Sequence, residues 1–159
     1  MALAQYGPSA VIVHGRFSEL GSISAQNGFE KADLILFDFG LSSNQIDDPQ
    51  RGFSFQSEGP LDMRMNPSTG LSAAKLVNES DAREIERILR EFGEEKWARR
   101  IALFIVARRP LRTTRDLVEA IEAAVPRAAW PKNINVATRT FQGLRIAVND
   151  ELEIGRAHV

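Results

Sequence analysis

The sequence predicts an α/β fold, in which part of a parallel sheet is followed by a mainly helical module. Two segments near the start, 11–17 (VIVHGRF) and 32–40 (ADLILFDFG), read as strands, and the second has the unbroken apolar run of a strand covered on both faces. Residues 18–30 between them are long enough for a crossover helix. From residue 72 onward the apolar residues recur at helical spacing.

The ends of the two predicted strands carry the first candidate site. Ligands of open α/β sheets bind beyond the carboxyl ends of the strands, and Phe17 and Asp38 lie at such ends. Phe17 would pack against a flat ligand ring, and Asp38 would accept hydrogen bonds from an amine or a hydroxyl group. The alternative for Phe17 is an aromatic residue of the core, and the alternative for Asp38 is a helix N-cap or turn residue. Neutral hydrogen-bonding groups follow at Ser42, Ser43, Asn44 and Gln45.

The triplet Asp38-Phe39-Gly40 also spells the magnesium-binding motif of protein kinases. A kinase needs a glycine-rich loop, a strand lysine and an H-R-D loop upstream of it, and the residues before Asp38 contain none of these. No two glycines have the G-x-G spacing of a dinucleotide fingerprint. The kinase interpretation is therefore rejected.

Residues 46–71 differ from what precedes and follows them. They hold three prolines and three glycines and have neither strand nor helix periodicity. A long irregular segment in a compact domain is often functional. We therefore expect a functional loop here.

Helices are expected to begin at Ser80, at Thr113 (in a capping box with Asp116) and at Thr138, because these side chains can accept from the first backbone N–H groups. Their apolar stripes predict which faces are buried. The stripe residues are Ile85, Ile88, Leu89 and Phe92, then Trp97, Ile101, Phe104 and Ile105, and finally Phe141, Leu144, Val148 and Leu152.

The formal net charge of −1 conceals a marked asymmetry. Residues 1–95 hold eight Lys/Arg and 15 Asp/Glu, whereas residues 96–145 hold 11 and three. This pattern indicates a nucleic-acid or phosphate partner for the second half, with a solvated basic helix face as the alternative.

The 159 residues suit about one domain. The chain has no cysteine and two histidines, so a disulfide framework, a cysteine zinc site or a histidine-rich metal site is not expected. No apolar run approaches a membrane span and no secretory signal is recognisable, which predicts a cytoplasmic protein.

Over nearly all of residues 5–153 the chain resembles the MraW family, the ribosomal small subunit methyltransferases H. The resemblance is carried, in order, by VHGRFSEL, DLILFDFGLSSNQIDDPQRGFSF, GPLDMRM, GLSAAKLVN, REFGEEKWARRIA and ATRTFQGLRIAVNDELE. It implies a Rossmann-like methyltransferase sheet, of which two parallel strands are retained, with a helical insertion domain. It also implies S-adenosylmethionine as cofactor, and methylation of the N4 of a cytidine in the decoding centre of 16S rRNA.

The resemblance assigns roles to individual residues. Phe17, Asp38 and Gln45 match positions that contact the cofactor, and Asp38 with Ser42, Ser43 and Asn44 would hold the reacting amine. The family's D-L-G-V-S-S-P-Q reads DFGLSSNQ here, so that Asn44 replaces a proline and loosens the turn. Asn135-Val136 likewise replaces a His-Pro pair.

RNA contacts are implied for loop and helix residues. Phe53 and Phe55 would stack on the extruded cytidine, and anchoring the loop is the equal alternative for them. The residues expected to contact RNA are Arg51, Phe53, Phe55, Arg64, Arg99, Arg100 and Arg139, with Arg108, Arg109, Arg112 and Arg115 on the same basic surface.

The expected divisions are a partial methyltransferase core with its active-site loop (1–60), a helical substrate-recognition insertion (61–137), a returning helix (138–152) and a non-native tail (153–159). The family's glycine-rich cofactor loop and last strands are expected outside these residues, so that the chain alone would be an inactive fragment; a homodimer is left open. Two alternatives remain: a helical RNA- or partner-binding module without catalysis, and a DNA amino-methyltransferase. The D/N-P-P-Y/F/W signature of the latter is absent at 38–41.

Overall fold

The structure is a computed structural model that describes residues 10–13, 15, 19–36, 40–68 and 70–151, without the side chains of Ser43 and Asn44. The chain divides into two compact units. Residues 40–151 form one of them, and the described residues before 40 belong to the other.

The smaller unit contains helix α1 (Leu20–Gln26) and two segments without regular secondary structure, 10–13 and 31–36. These segments are the described parts of the two predicted strands, and neither has strand hydrogen bonding. A strand exists only when a neighbour accepts and donates its backbone hydrogen bonds. The apolar side chains are also exposed, with Ile12 at 68%, Leu34 at 86% and Leu36 at 89%. The parallel pair is therefore not observed in the described residues.

The larger unit is helical. Its helices are α2 (Ser43–Asp47), α3 (Ala73–Glu79), α4 (Ala82–Glu91), α5 (Ala98–Ala107), α6 (Thr114–Ala124) and α7 (Thr138–Asn149), with single 3-10 turns at Pro49–Arg51 and Arg127–Ala129. α4 packs against α5 and α7, α5 against α6, and α3 against both α5 and α7. Among the described residues the extended pairing is limited to one antiparallel bridge between Pro60 and Thr113.

The predicted apolar stripes form the core of this unit. Ile85, Leu89, Ile101, Ile105 and Leu144 are fully buried, as the helical spacing predicts. Three aromatic members of the stripes are half-buried and pack against this core, namely Phe92, Trp97 and Phe104. Leu152, the last member of the α7 stripe, lies outside the described residues.

Two of the three predicted helix starts are shifted by one residue. The side chain of Asp81, and not that of Ser80, accepts the N–H of Glu84 at 2.8 Å. Ser80 instead ends α3, where its own N–H donates to Leu76 O. Likewise the N-cap of α7 is Ala137, one residue before Thr138, and Asn135 Oδ1 accepts the Ala137 N–H at 2.8 Å.

The capping box before α6 is confirmed. Asp116 N donates to Thr113 Oγ1 (3.1 Å), and Thr113 N donates back to Asp116 Oδ2 (2.9 Å). This reciprocal pair satisfies two N–H groups that the first turn leaves open. The same carboxylate accepts from Arg112 N at 2.8 Å, and these backbone N–H groups lower the pKa of Asp116.

Two glycines allow the end of α4 to approach α7. A Cβ at Gly93 would lie 2.4 Å from Arg139 O, and one at Gly143 would lie 3.0 Å from Gly93 N. Any larger side chain at Gly93 would therefore separate the two helices. No helix in the part of the chain that the structure describes is long and apolar enough to cross a membrane.

Candidate functional site

The strand-end site is only partly visible. Phe17 and Asp38 lie outside the described residues, as do the side chains of Ser43 and Asn44. Ser42 and Gln45 are described, and they form a capping box at the start of α2. Gln45 N donates to Ser42 Oγ (3.3 Å), and Ser42 N donates to Gln45 Oε1 (3.0 Å).

This capping box compensates for the replacement of the family's proline by Asn44. The turn that a proline would stiffen is closed here by the Ser42–Gln45 pair, with Asn44 inside the first turn of α2. The carboxamide oxygen of Gln45 is occupied by this pair, and its NH₂ group makes no hydrogen bond within the described part of the chain. Gln45 can therefore donate a hydrogen bond to a ligand without giving up its structural role.

The loop 48–66, which contains the most specific of the motifs, is fixed by its own side chains. The guanidinium group of Arg51 donates to the carbonyl oxygens of Arg64 and Met65, both at 2.9 Å. Arg64 in turn makes a two-pronged pair with Asp62, at 2.8 and 2.7 Å. This pair holds the pKa of Asp62 below its usual value and raises that of Arg64. Arg51 and Arg64 hold the loop in this way, and their expected contact with RNA stays a prediction.

Asn149, in the last turn of α7, ties the loop to the helix. Its Oδ1 accepts the N–H of Met65 at 2.6 Å, and its Nδ2 donates to Met63 O at 2.7 Å and to Arg145 O at 2.9 Å. Met63 is fully buried and has a φ of 61°, which is uncommon for a residue with a side chain. The hydrogen bonds on either side of Arg64 hold this backbone in place.

The two loop phenylalanines face the core. Phe53 is 9% exposed, and Phe55 packs edge-on against Phe141 of α7, with ring centroids 5.4 Å apart. In this conformation both rings anchor the loop, which was one of the two interpretations left open. Stacking on a base remains a prediction that requires the loop to rearrange.

The outer edge of the loop pairs with the residues that open α6. Leu61 N donates to Arg112 O and Thr114 N to Gly59 O, both at 2.9 Å, while Gly59 N donates to the buried Thr114 Oγ1 at 3.1 Å. A Cβ at Gly59 would lie 1.8 Å from Pro49 O, so only glycine fits there. The loop is thus attached to α6 along one edge and to α7 along the other.

The arginines of the predicted basic surface fall into two groups. Arg109 donates to Val77 O (2.7 Å) and to Ser80 O, and so caps α3. Arg115 pairs with Glu119 at 3.1 Å. Arg99, Arg100, Arg108 and Arg112 are exposed and form no salt bridge in the described part of the chain, although the charge of Arg112 helps to lower the pKa of Asp116. Arg100 lies over the ring of Phe104, 5.7 Å from its centroid.

α4 shows a different arrangement. Arg87 is bound by Glu84 at 2.7 Å and Glu91 at 2.6 Å, and Arg90 by Glu86 at 2.5 Å. Such i,i+3 and i,i+4 pairs cancel charge on the helix surface. Arg99, Arg100 and Arg108, by contrast, form no salt bridge among the described residues.

Sequence reasoning missed two residues that organise the site, Asn149 and Asp62. Asn149 lies in the motif RIAVNDELE, directly after the apolar stripe residue Val148. The position of this polar amide at the end of an apolar stripe was the one sign in the sequence that it could have a structural role. The partners of Asn149 lie 84 and 86 residues away in the chain, so no local pattern could identify them. For Asp62, the signal was an acid two residues before Arg64.

Comparison with known proteins identifies the family. Residues 1–158 match the model of the MraW methylase family. The chain is 51% identical over 154 residues to the ribosomal RNA small subunit methyltransferase H of Heliobacterium modesticaldum. It is 52% identical over 153 residues to the protein of that name from Geobacter sulfurreducens. Both alignments cover 94% of this chain and 49% of the relative, so the chain spans about half the length of the curated relatives it matches. The chain belongs to the MraW methylase family.

Proposed function

We propose that this chain is part of an enzyme that uses S-adenosylmethionine to methylate the exocyclic N4 of a cytidine in the decoding centre of 16S rRNA. The observation that carries the proposal is membership of the MraW methylase family, with relatives named as ribosomal RNA small subunit methyltransferases. The motif match at 38–45 and the loop 48–66, held between α6 and α7, support it.

Within this proposal, segments 11–17 and 32–40 are neighbouring parallel strands of a Rossmann-like sheet. Support comes from the sequence of the two segments, whose apolar pattern is typical of strands covered on both faces. The division into 1–60, 61–137, 138–152 and a tail 153–159 stays a prediction of the same kind.

Methyl transfer from a sulfonium needs the nucleophile, the methyl carbon and the sulfur to be in line. Correct alignment lowers the barrier by several kcal/mol without covalent participation of the protein. The cytidine N4 is a poor nucleophile because its lone pair is conjugated with the ring. Hydrogen-bond acceptors around the N4–H groups must therefore hold the amine in a more reactive geometry. Asp38 and the groups of Ser42, Ser43 and Asn44 are proposed for this role.

The cofactor would supply the activated methyl group. Of the residues proposed to hold it, Gln45 fits on the observed geometry, since its NH₂ group is free to donate while its oxygen is fixed by Ser42. Phe17 would pack against the adenine ring, and Asp38 would accept from a hydroxyl or amine of the cofactor. The chain has no G-x-G loop to hold the remaining part of the cofactor, and by itself it is proposed to be inactive.

The rRNA would be bound through phosphates by the unpaired cations, which include Arg99, Arg100 and Arg139. Phosphate contacts position the substrate without reading its sequence. Arg51 and Arg64 would have to leave their loop partners to contact RNA, and Phe53 and Phe55 would have to leave the core. In the described conformation these four residues set the shape of the loop, and direct contact with RNA stays a prediction for them.

The test is a methyl-transfer assay. The longest reading frame that contains this sequence is expressed and incubated with tritiated S-adenosylmethionine and small ribosomal subunits that lack the modification. We expect label in the RNA that elutes as N4-methylcytidine after digestion to nucleosides. Absence of transfer, or label in another nucleoside, would overturn the proposal.

Calorimetry with S-adenosylmethionine tests the narrower proposal about the 159 residues. We expect no measurable heat of binding, whereas a micromolar dissociation constant would show that they suffice to hold the cofactor.

A second candidate function is RNA binding without catalysis. Residues 40–151 favour it, because their core is built from 53–148 and their surface carries unpaired cations. Transfer activity from the same reading frame would rule it out.

A further inference from the structure

The larger unit contains a groove that lies apart from the loop 48–66. It has a volume of about 240 Å³ and lies between the turn before α5 and the segment 129–139 that leads into α7. Side chains with distinct chemistry line it, namely Lys96, Trp97, Pro131, Asn135 and Arg139, together with the acid Glu95.

The two cations of the groove have no acidic partner. Lys96 is exposed and Arg139 half-buried, and neither forms an ion pair in the described part of the chain. The acid in the lining, Glu95, is 8% exposed, and its Oε1 accepts the N–H of Trp97 at 3.0 Å. The lining of the groove therefore includes two cationic residues and one carboxylate that already accepts a backbone N–H.

The groove also offers an aromatic surface. Trp97 is half-buried, with part of its ring against the core, and its indole N–H makes no hydrogen bond within the described residues. Trp130 differs, because its indole N–H donates to Val125 O at 3.0 Å and its ring is covered by Arg127 at 4.2 Å. Pro131 and Ile134 extend the apolar lining beside Trp97.

We propose that this groove binds one nucleotide of single-stranded RNA, with its phosphate between Lys96 and Arg139 and its base against Trp97. Cations beside an aromatic ring form the usual recognition unit for single strands. The choice of RNA rests on the proposed function, and the groove would hold a part of the substrate other than the methylated base.

The experiment measures binding of a fluorescently labelled octaribonucleotide of mixed sequence to the 159-residue chain by fluorescence anisotropy at several salt concentrations. The variant Lys96→Gln/Arg139→Gln is compared with Arg87→Gln/Arg90→Gln, which removes the same charge from arginines that acids already bind. We expect the groove variant to bind at least tenfold more weakly. Its salt slope should fall by about 0.7, the loss of one single-strand phosphate contact, while the α4 variant stays within twofold of the wild type.

A second readout follows the ring directly. In a Trp130→Phe protein, Trp97 is the sole tryptophan, and the octamer should quench its fluorescence. The quenching should disappear when Lys96→Gln/Arg139→Gln is added, at an unchanged melting temperature. Equal weakening by both charge variants, or no binding by the wild-type chain, would overturn the inference, as would an unquenched Trp97.

This result is separable from the methyl-transfer assay. Transfer by the whole reading frame together with unaffected octamer binding would refute the groove and leave the proposed function standing. Absence of methyl transfer together with groove-dependent binding of the octamer would support the groove and refute the proposed function.

Discussion

The loop 48–66 is irregular apart from the 3-10 turn at Pro49–Arg51, and the segments 10–13 and 31–36 also lack regular secondary structure, yet the two regions differ in how they are stabilised. The loop buries Leu61 and Met63 and hydrogen-bonds to α6 and α7. The two segments expose Ile12, Leu34 and Leu36 and form no strand among the described residues. The absence of regular secondary structure therefore does not show by itself how well a segment is stabilised. Stabilisation depends on how many of its side chains are buried and how many of its backbone groups are hydrogen-bonded.

The difference can be tested with matched substitutions in the two regions. Both tryptophans, Trp97 and Trp130, belong to the 40–151 unit, so that urea unfolding followed by their fluorescence reports the stability of that unit.

The largest effect is expected for Leu61→Ala, which empties a fully buried site and should lower the free energy of unfolding by about 4 kcal/mol. Leu36→Ala is the matched change at an exposed leucine and should alter it by less than about 0.5 kcal/mol. If both variants lost a similar amount of unfolding free energy, the proposed difference between the loop and the two segments would be wrong.

Gly59→Ala should follow, with a loss of about 3 kcal/mol, because the new Cβ would clash with Pro49 O. Gly21→Ala in α1 meets nothing within 4 Å and replaces a helical glycine, so the helix should gain about 0.5–1 kcal/mol. The tryptophan-detected transition should therefore shift only for Gly59→Ala. An unchanged midpoint for that variant would show that the loop backbone can yield.

Asn149→Ala removes the amide that holds Met63 and Met65 and should cost about 2 kcal/mol, since it leaves buried backbone groups without partners. Asn27→Ala removes one exposed bond to Ile23 O and should cost less than about 0.5 kcal/mol. Hydrogen exchange at the Met65 amide provides an independent check: it should quicken in Asn149→Ala and stay slow in Asn27→Ala.

The smallest effect concerns pH. Arg64 lowers the pKa of Asp62 below its ordinary value of 3.8, so the contribution of this pair is fully present above pH 3.8 and is lost as the pH falls through the lower, folded-state pKa. The pair is partly exposed, and we expect it to contribute about 0.5–1 kcal/mol. Asp62→Asn should lower stability at pH 7 by that amount, and the difference from the wild type should shrink as the pH falls below 3.8. A difference that is independent of pH would contradict this assignment.

Features that depend on neighbouring residues were predictable from the sequence. The stripe containing Ile85 and Leu89 and the Thr113–Asp116 capping box each involve residues within about one turn of each other, and both are observed. The cap of α4 was placed at Ser80 and not at Asp81, because either side chain can cap and the choice depends on where α3 ends.

Features that depend on distant partners were not predictable. Charge alone did not separate Arg51, Arg64 and Arg109, which bind groups within the protein, from the unpaired Arg99 and Arg100. The predicted site at Phe17 and Asp38 lies outside the described residues and stays a prediction, whereas Ser42 and Gln45 pair as a short-range cap.

The two attachments of the loop to α7 have a consequence for how the sequence can change. Phe141 contacts Phe55 and Asn149 contacts Met63 and Met65, and both residues belong to one uninterrupted helix. Inserting or deleting one residue between them would turn one attachment about 100° relative to the other and shift it by about 1.5 Å along the axis. Related chains should therefore accept substitutions between Phe141 and Asn149 far more readily than any change in the spacing of those two positions.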